Sequence, residues 1–151
     1  MRIIGPNGAS YDLRIVRSSK FEKELFEIVM LMKESHIQGY PIKSIPVVYF
    51  VDMPWAEHHI LSGVWMYSAK QEGRVLYIHS KMNDIKKFGA LLHEFMHYLF
   101  DTSDDVFVHK QAIRLAKDIH RLAVSVQDNK TRKEMENVIK YLEESKYIFG
   151  F

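Results

Sequence analysis

Apolar residues recur at the spacing of an amphipathic helix near the start of the chain. Between Ser19 and about Ile37 they return every three or four positions, which places them on one helical face. The stretch opens with Ser19-x-x-Glu22, a pattern typical of a capping box, and it ends before Gly39 and Pro41. We therefore predict a long N-terminal helix here.

The same periodicity predicts three further helices in the second half of the chain. One runs from Ile85 to Phe100, behind Asn83 or Asp84, which are residue types that cap helix N-termini. After a short polar connector, a third helix runs from Asp105 to about Val126. A fourth begins at a capping pattern that starts with Thr131 and runs to about Lys146.

Strand-like segments lie between the first two helices. Three runs are rich in Val, Ile, Tyr and Trp and are separated by Pro, Gly and polar residues, namely Ile45–Val51, Leu61–Ser68 and Arg74–His79. They predict a sheet of about three strands that is mainly antiparallel. Nearer the N-terminus, Arg2–Ile4 and Tyr11–Val16 flank a turn-prone segment, so we expect them to pair as a short hairpin.

The order of these elements and the length of the chain define the expected architecture. Helix, strands and then helices form an α+β pattern. A chain of 151 residues with 47% hydrophobic content can bury one sizeable core, but it is too short for two ordinary domains. We therefore expect a single domain over residues 1–151.

Charge and cysteine content exclude several functional classes. The 21 basic and 19 acidic residues are spread along the chain, so composition gives no strong attraction to nucleic acid or to a membrane. The absence of cysteine excludes disulfides, thiolate metal ligands and a cysteine nucleophile. With no apolar run long enough for a signal peptide or a membrane span, we expect a soluble, cytoplasmic protein without membrane association.

The segment His93-Glu94-Phe95-Met96-His97 lies within the second predicted helix. Four residues of a helix turn through about 400°, so His93 and His97 project from one face, about 6 Å apart along the axis. Two imidazoles at this spacing can share one Zn²⁺ ion, and a catalytic zinc site needs a third protein ligand and an open position for water. Glu94 lies beside that position, where a carboxylate can act as general base.

A third metal ligand is not fixed by spacing. On the third predicted helix, His109 shares a face with Ala112 and Ala116, whose small side chains allow close approach to the motif helix. We therefore predict His109 as the third ligand. Asp105, one turn earlier, is the alternative, either as a ligand or as a hydrogen-bond partner of a ligand histidine. The candidates considered were Asp101, Asp104, Asp105, His109, Asp118 and His120.

Two further side chains at the ends of predicted strands are candidates for substrate contact. Tyr67 and His79 could line a cleft near the metal and stabilise the oxyanion of a tetrahedral intermediate. Polar residues are also common at strand ends without any such role.

The motif and its surroundings resemble the minimal zincins, specifically the SprT-like (Spartan-like) metallopeptidases. The resemblance covers about Ser44 to Ile119, and it rests on Gly63, the strand Val75–Ile78, the segment from His93 to His97, and His109. It implies a small zincin-like fold, a zinc cofactor and a third ligand at His109. It also implies DNA association, since the SprT-like family cleaves proteins crosslinked to DNA.

A second resemblance, to the ImmA/IrrE-like peptidases, concerns the third-ligand helix. That family has Glu-x-x-Ala-x-x-Phe-Ala, and this chain has His109-Lys110-Gln111-Ala112-Ile113-Arg114-Leu115-Ala116. Histidine therefore stands in the position of the family's glutamate, which again indicates His109.

The leading functional hypothesis is a zinc metallopeptidase that hydrolyses peptide bonds with a metal-activated water and Glu94 as general base. We expect a protein or peptide substrate that pairs with a strand edge, the one ending near His79. The alternative is a non-catalytic, zinc-containing module of SprT-like type that binds DNA or protein. A hydrolase acting on a non-peptide bond is a third hypothesis, because metal ligands do not specify the bond that is broken.

Overall fold

The structure is a computed structural model. It describes residues 2–4, 8, 10–12, 14–34, 39–41, 43–53 and 69–145. The predicted strand Leu61–Ser68 lies outside the described residues. So do two residues within it, Gly63, which contributes to the family resemblance, and Tyr67, a candidate for substrate contact.

Four helices are present in the described part of the chain, and they confirm the helical half of the predicted α+β class. They are α1 (Ser19–Glu34), α2 (Asp84–Phe100), α3 (Asp105–Ser125) and α4 (Asn129–Ser145). The expectation of a long N-terminal helix is wrong, because α1 has 16 residues and is the shortest of these four. Gly39, with a φ of 93°, and Pro41 follow it, and neither favours continuing a helix.

The strands form a two-stranded ribbon and a four-stranded mixed sheet. They are β1 (Arg2–Ile4), β2 (Ser10–Asp12), β3 (Ile15–Arg17), β4 (Val47–Val51), β5 (Ala69–Glu72) and β6 (Val75–His79). β1 pairs with β2, and the larger sheet has the order β3-β4-β6-β5. The predicted second strand of the hairpin is therefore divided, since only its first part pairs with β1 while β3 joins the larger sheet.

The central strand pair differs from the mainly antiparallel sheet predicted by the sequence. β4 and β6 are parallel, whereas β3 and β5 pair antiparallel with their neighbours. Parallel strands need a crossover connection, and the segment between β4 and β6 is long enough to provide one. β5 was not predicted because its residues, Ala-Lys-Gln-Glu, lack the apolar alternation of a strand.

Helix α2 lies at the centre of the molecule and contacts β5, β6, α3 and α4. Every residue from Phe88 to Leu99 is buried, and Leu91, Leu92, Phe95 and Met96 are fully so. A helix that is buried on all sides loses the freedom to shift or rotate, because its neighbours are close-packed. The motif side chains are therefore held on the most constrained element of the fold. None of the described helices combines the length and the apolarity that crossing a bilayer requires.

Candidate metal centre

Local capping signals position the motif histidines and the chain that follows them. The Asn83 side chain accepts a hydrogen bond from the backbone N–H of Lys86 at 2.9 Å, which fixes the start of α2. The helix ends at Asp101, which has a left-handed φ of 52°. Asp104 then caps α3 by accepting from the Phe107 N–H at 3.1 Å. This sharp connection brings the first turn of α3 back over the motif.

One carboxylate oxygen of Asp105 lies close to the Nε2 atoms of both motif histidines. The Nε2 atom of His97 lies 2.8 Å from Oδ1 of Asp105, and the Nε2 atom of His93 lies 3.3 Å from the same oxygen. Ligand atoms about 2.0–2.1 Å from a tetrahedral zinc ion are separated by about 3.3 Å. Both distances from Asp105 Oδ1 are therefore close to the spacing of two ligand atoms on a small tetrahedral cation.

The hydrogen bond at the other nitrogen of His97 determines which ring nitrogen carries its proton. His97 Nδ1 lies 2.7 Å from the carbonyl oxygen of Thr102. A carbonyl can only accept, so Nδ1 carries the hydrogen and donates it. In a neutral imidazole the lone pair is then on Nε2, directed at Asp105.

The tautomer of His93 is determined in the same way, through the imidazole ring of His109. His109 Nε2 lies 2.6 Å from the carbonyl oxygen of Leu142, so this nitrogen donates. His109 Nδ1 then accepts from His93 Nδ1, at 3.1 Å. The lone pair of neutral His93 is consequently on Nε2 and also faces Asp105.

With both imidazoles neutral, two nitrogen lone pairs face the same Asp105 oxygen, at 3.3 Å from His93 and 2.8 Å from His97. Three acceptors without a donor between them repel one another and cannot all be satisfied. A proton on an imidazole or a metal cation relieves this repulsion, and imidazole nitrogen with carboxylate oxygen is a donor set that suits zinc. The residues therefore fit a metal ion.

The pKa values of Asp105 and His97 are shifted by their contact with each other. Hydrogen bonds from His93 and His97 hold the pKa of Asp105 well below its usual range. Burial acts to lower the pKa of His97, but the hydrogen bond to Asp105 and the negative charge of Glu94 outweigh it, so the pKa is raised. Without a metal, the cluster therefore favours protons in the position that a cation would take.

Glu94 lies beside the two histidines and is buried with them. His93, Glu94 and His97 each offer a ligand-type atom within 4.8 Å of the others, so this buried triad could hold a metal ion. Burial raises the pKa of the Glu94 carboxyl, and the neighbouring imidazoles partly oppose that rise. The backbone N–H of Gln71, on β5, donates a hydrogen bond to this carboxyl. The strand thus helps to orient the glutamate.

A cavity of about 490 Å³ opens onto these groups. Its floor is the face of α2 that carries His93, Glu94 and His97, and its sides are β5 and the C-terminal part of α4. The connector between α2 and α3 closes one end. This volume lies within the range of small-molecule and peptide sites.

The structure separates the sequence-predicted site residues into two groups. Asp105 is at the point of convergence, whereas His109, 2% exposed, lies behind His93. His79 is buried at the end of β6, where its Nδ1 accepts from the Met53 N–H at 3.0 Å, and it is not among the residues that line the cavity. Tyr67 lies outside the described residues.

Three backbone groups that bond to side chains of the site were not predicted from the sequence. The carbonyls of Thr102 and Leu142 and the N–H of Gln71 are backbone groups, so the type of side chain at those positions carries no signal for them.

The strand ending near His79 is not the sheet edge that was expected from the sequence. Within the described sheet the outer strand on this side is β5, whereas β6, which ends at His79, lies between β4 and β5.

Comparison with protein-family models, curated proteins and solved structures found no match to the chain.

Proposed function

We propose that this protein is a zinc-dependent metallopeptidase in which His93, His97 and Asp105 hold the metal and Glu94 is the general base. The observation that carries the proposal is the convergence of two Nε2 lone pairs and the Asp105 carboxylate beside a buried glutamate. The proposal replaces His109 by Asp105 as the third ligand, because Asp105 reaches both Nε2 atoms.

His109 has a different role in this proposal. Its Nδ1 atom accepts a hydrogen bond from the Nδ1–H of His93, and its Nε2–H donates a hydrogen bond to Leu142 O. Such a partner fixes the tautomer and the ring orientation of a ligand histidine. His109 is therefore a positioning residue.

The ligand set leaves a place for substrate chemistry. Two imidazoles and one carboxylate make three protein ligands, which is the number typical of catalytic zinc sites. When bound, zinc supplies Lewis-acid activation of a water molecule and of the scissile carbonyl. A purely structural, non-catalytic zinc module would need a fourth protein ligand, and His109 is turned toward Leu142 O instead. DNA association rests on the family resemblance alone and stays a prediction.

Glu94 has the properties required of a general base. Its carboxyl is buried in the cavity wall, and burial raises its pKa, which makes the carboxylate a stronger base. The Gln71 N–H holds the carboxyl in place. From this position the carboxylate can accept a proton from water and transfer it to the leaving amine.

The position of β5 supports a peptide as the substrate. Glu72 and Val75 flank a two-residue turn, so they form a hydrogen-bonded pair and the pairs along β5 alternate from there. The N–H and C=O groups of Ala69 and the C=O group of Gln71 therefore point away from β6, toward the cavity that both residues line, whereas the Gln71 N–H is already directed at Glu94. An extended peptide can pair with such an edge.

The test compares zinc-loaded wild type with Glu94→Gln on a mixture of unfolded proteins and peptides. The variant should bind zinc in the same ratio but lose activity by about 10²–10⁴-fold, because the amide cannot accept the proton. Glu144→Gln, on the exposed side of α4, is the matched control and should behave as wild type. Full activity in Glu94→Gln would contradict the assignment.

A further inference from the structure

The cavity differs in chemical character along the length of α2. At the end that precedes His93, small and apolar residues from three elements contribute to its lining, and Lys70 and Gln71 of β5 and Ser145 of α4 also line the cavity. The small and apolar residues are Ala69 of β5, Gly89 and Ala90 of α2, and Tyr141 and Leu142 of α4. At the other end, beyond His97, the lining is polar and consists of Asp101, Thr102 and Ser103. The metal centre lies between the two ends.

A close contact between two helices shapes the apolar end. A Cβ atom added to Gly89 would lie 2.5 Å from Cδ1 and 2.7 Å from Cε1 of Tyr141. The tyrosine ring therefore packs directly on the backbone of α2, and a Cβ atom at position 89 would force the ring or the helix to shift. Glycine inside a helix costs about 1 kcal/mol relative to alanine. Gly89, although unfavourable in a helix, lies at the position where the Tyr141 ring contacts α2.

The apolar end is close enough to the centre to contact a residue beside the reacting bond. Gly89 precedes His93 by one helical turn, about 6 Å along the axis. Neighbouring residues of a substrate peptide are about 3.8 Å apart. A side chain next to the scissile bond can therefore reach Ala90 and Tyr141 while its carbonyl lies at the metal centre.

We propose that this apolar end, formed by Ala69, Gly89, Ala90, Tyr141 and Leu142, is a subsite for one substrate side chain. It makes the protein selective for peptides with an apolar residue beside the cleaved bond. Burying such a side chain removes apolar surface from water, whereas a charged one would lose its hydration without a partner. This inference rests on the proposed peptidase function and specifies its substrate class.

The test uses peptides that differ only at one position beside the cleaved bond, where Gly, Ala, Leu, Phe or Asp is placed. Cleavage sites are located by mass spectrometry, and kcat/KM is measured with zinc-loaded wild type. We expect Leu and Phe peptides to exceed Gly and Asp peptides by about tenfold or more, since each methylene in an apolar pocket is worth about tenfold or more.

Two substitutions should change this preference in opposite directions. Ala90→Leu fills the subsite and should favour Ala over Leu and Phe, whereas Tyr141→Ala enlarges it and should favour Phe over Leu. Zinc affinity should be unchanged in both variants, which separates a subsite effect from damage to the centre. Lys140→Ala, on the exposed side of α4, is the control and should keep the wild-type preference.

The outcomes distinguish the two levels of the proposal. Zinc-loaded wild type that cleaves none of the peptides overturns the peptidase function, and the subsite with it. Cleavage without a preference for apolar residues overturns only the subsite, as does an unchanged preference in Ala90→Leu. If Tyr141→Ala does not fold, Ala90→Leu still decides the question.

Discussion

The Nδ1 atom of His93 lies 3.1 Å from the Nδ1 atom of His109. Because His109 Nε2 donates to Leu142 O, in the last turn of α4, that carbonyl determines the proton positions of two imidazole rings. The C-terminal helix thereby directs the Nε2 lone pair of His93 toward Asp105. In the proposed site, the histidine predicted from the sequence as a ligand supports a ligand histidine instead.

The first prediction concerns the separate roles of Asp105 and His109. Asp105→Ala should abolish tight zinc binding, because it removes a direct ligand. His109→Ala should weaken zinc binding by about 10–100-fold, the effect expected for a hydrogen-bond partner of a ligand. Competition with a chelator of known affinity measures both.

His120→Ala is the control for the loss of an imidazole, since His120 pairs with Glu136 at 3.2 Å and lies away from the cavity. Its zinc affinity should equal that of wild type. Complete loss of zinc in His109→Ala, with retention in Asp105→Ala, would restore His109 as the third ligand.

The second prediction concerns the pH dependence of stability through Glu22. Its carboxylate accepts hydrogen bonds from the Arg17 guanidinium at 2.9 Å and from the Val48 N–H at 3.2 Å, which joins α1 to β3 and β4. The hydrogen bond from Arg17 is the main reason that the pKa of Glu22 is lowered. A lowered folded-state pKa stabilises the fold above the unfolded pKa, and this contribution is lost as pH falls through the folded value.

Glu22→Gln should therefore be less stable than wild type by about 0.5–1 kcal/mol at pH 7. The difference should shrink as pH falls below about 4.3, the ordinary pKa of glutamate, because the unfolded chain then takes up a proton that the folded carboxylate, with its lowered pKa, does not. Urea unfolding across this pH range measures it. A difference that stays constant with pH would mean that the charge of Glu22 contributes nothing.

The third prediction concerns Glu24, a carboxyl placed unfavourably on α1. Its Oε2 atom is buried and has no hydrogen-bond partner among the described residues. Burial raises its pKa, and the negative charge of Glu134 raises it further. Glu24→Gln should stabilise the protein by about 1 kcal/mol, which corresponds to about 2–4 °C in Tm for a chain of this size.

Calorimetry or thermal unfolding at pH 7 measures this effect. The control is Glu27→Gln, because Glu27 is on the same helix but exposed, and its Tm should change little. At a pH low enough to protonate Glu24, the advantage of the glutamine should disappear. A lower Tm for Glu24→Gln would contradict the interpretation.

The fourth prediction concerns the contact between Gly89 and Tyr141. Alanine at position 89 is favoured by helix propensity by about 1 kcal/mol, but its Cβ would lie 2.5 Å from the tyrosine ring. Overpacking of this kind costs about 1–3 kcal/mol. Gly89→Ala should therefore be destabilised, or at best unchanged.

A double-mutant cycle with Tyr141→Ala isolates the clash. With the ring removed, Gly89→Ala should become stabilising by about 1 kcal/mol, because only the helix propensity remains. Denaturant unfolding of the four proteins gives the coupling energy. Additive effects would show that the ring does not depend on the glycine.

Much of the helical architecture could be predicted from local sequence. The starts of α2 and α3 follow from their caps, Asn83 and Asp104, because these side chains satisfy N–H groups that a helix leaves unpaired. The sheet was predicted less well. The parallel pairing of β4 and β6 depends on a crossover between distant segments, and β5 is a strand because of its neighbour rather than its composition.

At the candidate metal centre, the sequence by itself determined that His93, Glu94 and His97 lie together, because helical periodicity places them on one turn of α2. It did not determine the third ligand. Asp105 and His109 are one turn apart on α3, so periodicity gives both the same face. The docking of α3 and α4 against α2 places Asp105 beside both Nε2 atoms and turns His109 Nε2 toward the Leu142 carbonyl, which is the basis for proposing Asp105. A backbone carbonyl accepts hydrogen bonds whatever the side chain of its residue, so its role cannot be predicted from the residue type.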